Sequence, residues 1–162
     1  MPQRLFQCLA VAIRPLCIEE LAEIFAVRFD KAMTPTSNPD WRPVDANEAV
    51  LSACSSLISV VDVAGSQIVQ FSHFSVKEFL TSERLAKSET PLSCYHILPE
   101  PAHTILAHAS LSVLLQLDDK IDRNAIRRFP LALYAAQYWI DHARFRHVSS
   151  QARDMMHDGA SF

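Results

Sequence analysis

Residues 57–73 read LISVVDVAGSQIVQFSH. Two runs rich in β-branched residues, 57–63 and 67–73, flank a short link, AGS, that contains Gly65. Branched and aromatic side chains fit a pleated, half-buried surface, and a short glycine-containing link suits a tight turn. The stretch therefore predicts a β-hairpin. What stands on either side of it decides the architecture.

Upstream, RLFQCLAVAIR (3–13) places Leu5, Leu9 and Ile13 four apart, the spacing of an amphipathic helix that Pro15 stops. RPLC (14–17) reads as a short extended link, because a residue before proline is pushed out of the helical region. IEELAEIFAV (18–27) predicts a second helix with Ile18, Leu21, Ala22 and Phe25 inward. Its Glu19 and Glu20 lie in the first turn, where the helix dipole favours anions. Residues 30–45 hold Pro35, Pro39, Pro43 and Trp41 and predict a loop without regular structure. Asp45 then caps a third helix, ANEAVLSACS (46–55), with Glu48 three residues on as in a capping box. Helix, short extended piece, helix, helix, strand, tight turn, strand is the order of a winged-helix domain, here about residues 1–74.

Downstream the pattern is helical. SVKEFLTSERLAK (75–87) predicts a helix with Ser75 as N-cap and Glu78 three residues later. A loop with Pro91, Pro99 and Pro101 follows. Residues 102–117 are apolar on most faces, which predicts a buried helix in need of a cover from outside this chain. Residues 123–142 predict one or two helices with Phe129, Leu133, Tyr134 and Trp139 on the apolar side, and 148–157 a last short helix. The expected fold is mainly α with a small β-hairpin. A winged-helix domain is followed by an α-helical domain, residues 75–162, that reads as incomplete at its C-terminus.

The chain has 162 residues, of which 49% are hydrophobic and 20% charged. A chain of this length buries about 70% of its unfolded surface and needs no staple. Cys8, Cys17, Cys54 and Cys94 show no C-x-x-C spacing, and three of them sit in apolar periodic segments. They read as reduced, buried small hydrophobes of a cytoplasmic protein. The N-terminal apolar stretch is broken by Arg14 and Pro15, and no stretch reaches the roughly 20 apolar residues of a membrane span, so no membrane partner is expected. The only glycines are Gly65 and Gly159, which leaves no glycine-rich phosphate loop in the sequence.

Winged helices often read DNA with their third helix. Here that helix has no Lys or Arg and carries Glu48. Residues 1–74 hold five basic residues, Arg4, Arg14, Arg28, Lys31 and Arg42, against eight acidic ones, a net of −3. Phosphate backbones are repelled by such a surface, so protein packing is the expected use and no nucleic acid partner is expected. His103 and His108 are five residues apart, about 140° around a helix, and do not share a face as metal ligands would. There is no H-E-x-x-H motif and no G-x-S-x-G elbow, and Asp118–Asp119 reads as a solvated turn. Arg123, Arg127 and Arg128 have helical spacing and read as a solvated face. Nothing points to an enzyme.

FSHFSVKEFL (71–80) resembles the F-x-H-x-S-[FV]-x-E-F signature that closes the winged-helix domain of NACHT-type STAND nucleotide switches. Phe71, His73, Ser75, Val76, Glu78 and Phe79 fill that pattern. RPLCIEELAEIFAV, WRPVDANEAVLSACSSLISVV, FLTSERLA, YHILPEPAHTILAHASLSVLLQLDD and FPLALYAAQYWIDHARF are similar to fungal NACHT–ankyrin repeat proteins, over about residues 3–157. The resemblance implies a non-catalytic relay that couples nucleotide state to a repeat sensor. It also implies that His73 contacts the β-phosphate of ADP held by a separate nucleotide-binding (NACHT) domain. The residues alone leave open that His73 is a corner histidine hydrogen-bonded to backbone. No cofactor site is expected within these residues; ADP or ATP is implied for the full-length relatives, and with them a NACHT domain in cis or trans and ankyrin repeats. Two further readings stand beside the relay: a free-standing adaptor that binds in trans, and a DNA-binding winged helix. Cys17 stands where a Ser or Thr cap is expected.

Overall fold

The computed structural model describes residues 2–29, 36–54, 56–117 and 128–145. Helix α1 (Pro2–Val11) buries Leu5, Phe6, Cys8 and Ala10. It ends two residues earlier than the spacing predicts, and Ile13, expected inward, is exposed. The chain then enters a short strand, β1 (Leu16–Cys17), and helix α2 (Ile18–Glu23), which tightens into a 3-10 turn at Ile24–Ala26. Cys17 takes the N-cap position of α2. The reciprocal half of the cap comes from Glu20, which accepts the Cys17 N–H at 2.8 Å and holds Arg14 in a two-pronged pair at 2.8 and 2.6 Å.

The proline-containing segment is more regular than the sequence suggests. Strand β2 (Val27–Arg28) pairs antiparallel with β3 (Thr36–Ser37), and a 3-10 turn covers Pro39–Trp41. Proline bars a central strand but is at home at the first position of such a turn. Asn38 caps that turn by accepting the Asp40 N–H at 2.9 Å. Helix α3 (Ala46–Cys54) starts as expected, with Asp45 accepting the Glu48 N–H at 2.9 Å.

The hairpin is β4 (Ile58–Val63) and β5 (Ser66–Phe71). Ala64 and Gly65 both have positive φ, 52° and 81°, as a two-residue primed turn requires. Asp62 fastens the turn by accepting the Gly65 N–H at 3.0 Å. β1 joins the hairpin on the β5 side, giving a three-stranded antiparallel sheet in the order β1-β5-β4, with Leu16 opposite Val69. The sheet's inner face, including Leu16, Val69 and Ile58, enters the core.

The expected helix over 75–87 is two helices, α4 (Phe74–Leu80) and α5 (Glu83–Ala86). The break has a local cause. The Ser82 N–H closes on the Phe79 carbonyl at 3.2 Å and Ser82 Oγ donates to the same carbonyl at 2.7 Å, so the group that a continuing helix would offer to Glu83 is already taken. Ser82 then caps α5. A 3-10 segment, Pro91–Tyr95, leads to α6 (Pro99–Leu114). α6 buries Ala102, Leu106, Ala107, Ala109, Leu111 and Val113. Its cover comes from within the chain: α1 packs on one side and α7 (Ala132–Ala143) on the other. On α7, Tyr134 is buried as expected, whereas Leu133 is exposed. Cys8 is buried, Cys17 half-buried and Cys94 exposed, all three as free thiols, so Cys94 departs from the buried reading. Arg123 and Arg127, Cys54's side chain and the predicted helix 148–157 lie outside the described residues; Arg128 is exposed.

One cluster of buried side chains runs from Leu5 to Tyr134 and includes residues on both sides of position 74. Glu23, 1% exposed, fixes the arrangement. Its carboxylate accepts the Leu131 N–H at 2.8 Å, at the start of α7, and pairs with Arg42, whose guanidinium lies 5.3 Å from the Phe129 ring centroid. We predict that Glu23→Ala, which strands a buried N–H and an arginine, costs about 3 kcal/mol. Glu23→Gln keeps an acceptor for Leu131 and should cost clearly less. Urea denaturation at pH 7 measures both; losses that are equal and small would show that the carboxylate does not hold α7 in place.

Candidate functional site at the strand-to-helix corner

His73 follows β5 directly and is the N-cap of α4, with extended backbone at φ −149° and ψ 148°. Ser75, expected to cap, is instead the residue that is capped. Its N–H donates to His73 Nδ1 at 3.2 Å, and its Oγ lies 2.8 Å from the same nitrogen. A nitrogen that accepts carries no proton in neutral imidazole, so the ring proton sits on Nε2. Among the described residues Nε2 has no hydrogen-bond partner, and the side chain is exposed. The imidazole leans against Phe74 with ring centroids 4.4 Å apart, and Phe74 is 69% exposed. The corner therefore presents one oriented N–H donor beside an aromatic face.

Along α4 runs a cavity of about 440 Å³ lined by Phe6, Leu57, Val76, Phe79, Leu80 and Tyr95. The signature residues thus divide. Phe71 and Val76 pack on the core, Phe71 with its ring 6.1 Å from that of Phe6. His73, Ser75, Glu78 and Phe79 face outward, Phe79 with 45% of its surface exposed. Among the described residues no group of three or more His, Cys, Asp or Glu side chains could hold a metal ion. A single donor at His73 is half of an anion site at most.

Residues 1–92 match the family model described as GPI inositol-deacylase, winged helix domain. The chain belongs to that winged-helix family. The match concerns the winged helix and carries no deacylase activity with it. The chain is also similar to the azaphilone pigments biosynthesis cluster protein L of Monascus ruber, 32% identical over 146 residues. Those residues cover 86% of this chain and 30% of the relative, so the chain spans under a third of that protein's length. No solved structure matches. Among the described residues, no helix is long and apolar enough to cross a membrane.

A second constellation was not readable in the sequence. His103 on α6 and His142 on α7 meet Nδ1 to Nδ1 at 2.8 Å. His142 Nε2 lies 2.8 Å from the Tyr134 hydroxyl, which accepts the Ile13 N–H at 3.2 Å. His142 is fully buried, and His103 stacks on Phe145 with centroids 4.0 Å apart. Burial, and then His103 beside it, push His142 down to about 4 against a weaker opposing pull from Asp141. Burial lowers His103 and His108 in the same direction and pushes the Tyr134 hydroxyl up to about 12. The His103–His108 spacing was the only histidine pair the sequence offered on one helix. The pair that forms joins two helices, and no periodicity links residues so far apart.

The cap at His73 is directly testable. His73→Ala should cost about 0.5–1 kcal/mol by leaving the Ser75 N–H without its acceptor, and His73→Asp, a strong N-cap, should restore it. Urea midpoints of the three proteins measure this; an alanine variant as stable as the wild type would show that the corner does not depend on the ring nitrogen.

Proposed function

We propose that this chain acts as a non-catalytic relay segment of a NACHT–ankyrin type switch. In this reading the wing corner seats against a nucleotide-binding domain, supplied in cis or in trans, and His73 donates its Nε2–H to a phosphate oxygen of bound ADP. The observation that carries the reading is the tautomer fixed at His73. Capping α4 occupies Nδ1 and leaves Nε2–H as an exposed, oriented donor. A hydrogen bond from such a donor to phosphate is charge-assisted and stronger than one between neutral groups. The exposed rings of Phe74 and Phe79 give the incoming domain apolar surface beside the donor. The nucleotide then belongs to the partner and none is held by these residues alone. The family match over 1–92 and the likeness to a longer fungal protein agree with a segment that works inside a larger architecture.

The motion of such a relay is a population shift: ADP favours the docked state only by the free energy of contacts made in that state. Ankyrin repeats would read the other end, through the helical segment. Cytoplasmic placement and the lack of nucleic acid or membrane partners belong to the same proposal. An adaptor acting in trans would use the same corner, so one experiment addresses both.

The test uses the NACHT domain of a NACHT–ankyrin protein, freed of its own winged helix and loaded with fluorescent ADP. Adding this chain is expected to slow ADP release. His73→Asp keeps the cap but places a negative charge toward phosphate, and should lose most of the slowing, roughly tenfold in apparent affinity. Equal slowing by both proteins would remove His73 from the contact, and no effect of either would sink the reading.

A further inference from the structure

The Tyr134–His142–His103 chain joins α7 to α6 and, through the Ile13 N–H, to the segment that follows α1. Tyr134 accepts the Ile13 N–H, so its own hydroxyl proton is free to donate to His142 Nε2. His142 must then carry its proton on Nδ1 and donate it to His103 Nδ1, and His103 carries its proton on Nε2. In the opposite arrangement His142 Nε2 donates to Tyr134, and the buried hydroxyl proton is left with no acceptor. Full satisfaction selects the first arrangement.

A proton added to this chain is held only with His142 Nε2–H turned toward the Tyr134 oxygen, whether the charge sits on His142 or, after a change of tautomer, on His103. The Tyr134 O–H then loses its acceptor, and a cation stands in a buried site. Among the described residues, the charged and titratable groups around the chain compensate such a cation only weakly, through Asp141. Glu20 of α2 is committed to Arg14, whose guanidinium sits 5.0 Å from the Tyr134 ring centroid and adds positive charge there. Cys8 of α1 is a buried neutral thiol. Asp141 of α7 is exposed, on the same element as His142. Phe145 closes the far side of His103 with an apolar ring.

We propose that Tyr134, His142 and His103 form a proton-operated latch that holds α7 against α6 and the end of α1 and releases it on acidification. The inference does not rest on the relay reading and holds for the chain alone. Its sign follows from linkage. The closed form holds His142 near 4, while a released imidazole titrates at its ordinary value, about 6.5. Between these values the open form binds more protons, so closure weakens as pH falls through the window and is fully present only above it.

The test is made on the full chain. Long-range proton–nitrogen NMR at pH 7.5 is expected to show opposite tautomers, His142 protonated at Nδ1 and His103 at Nε2; the same tautomer in both rings would overturn the latch. Amide exchange is then followed from pH 7.5 to 5, corrected for intrinsic rates. Protection at Ile13 and along α7 is expected to fall on the order of tenfold more than protection along β5. His142→Gln, which can still accept from Tyr134 and donate to His103 but cannot take up a proton, should shrink that excess. His108→Gln, a change on α6 outside the chain, should leave it in place. Uniform loss across the protein, or an unchanged excess in His142→Gln, would refute the proposal. If His142→Gln fails to fold, the wild-type tautomers decide alone.

Discussion

A carboxylate taken fully out of water must recover its lost hydration from fixed partners, or it takes up a proton. Glu23 meets that demand with one cation and one backbone N–H, and these come from two distant stretches of chain. Arg42 arrives on the segment after the small second sheet, and the Leu131 amide on the turn that opens α7. Burial still pushes Glu23 upward, with the Leu131 N–H and Arg42 opposing, so the partners offset the cost in part. The position of α7 over α6, and with it the meeting of His103 and His142, is consistent with this anchoring. Hydrophobic area alone would leave α7 free to slide; a buried charge with two directional partners specifies one place for it.

The winged-helix half was legible because its signals are local. The β-branched runs around Gly65 gave the hairpin, and Asp45 before an alternating helical run gave the start of α3. What failed failed for local competition or for distance. Ser82 could have continued a helix by propensity, but its N–H and hydroxyl both close on the Phe79 carbonyl. Thr36 and Ser37 sit near three prolines, a signal of irregular chain, yet two residues suffice to pair with Val27 and Arg28. The apolar pattern of α6 points to a cover from outside the chain because nothing in a one-dimensional pattern says that α1 lies against it.

The site divides along the same line. The motif around His73 was readable as a motif, and its placement at a strand-to-helix corner followed from the hairpin. Its geometry was not readable, because Ser75 is the usual capping residue type and His73 is not. That a histidine caps α4 matters for chemistry: the backbone chooses the tautomer, and the free edge of the ring becomes a donor by default. The Tyr134–His142–His103 chain lay beyond sequence reasoning altogether, since each member is unremarkable on its own helix.

The packing of α1 on α6 has a consequence for how the protein is made. α1 (Pro2–Val11) leaves the ribosome well ahead of its partner α6 (Pro99–Leu114). At ~5–20 residues per second, Leu5, Phe6 and Cys8 wait on the order of ten seconds for their cover. The region recognised as the family's domain, residues 1–92, ends before α6 begins. The residues that match the family and the residues that share the core are therefore different lengths of polypeptide.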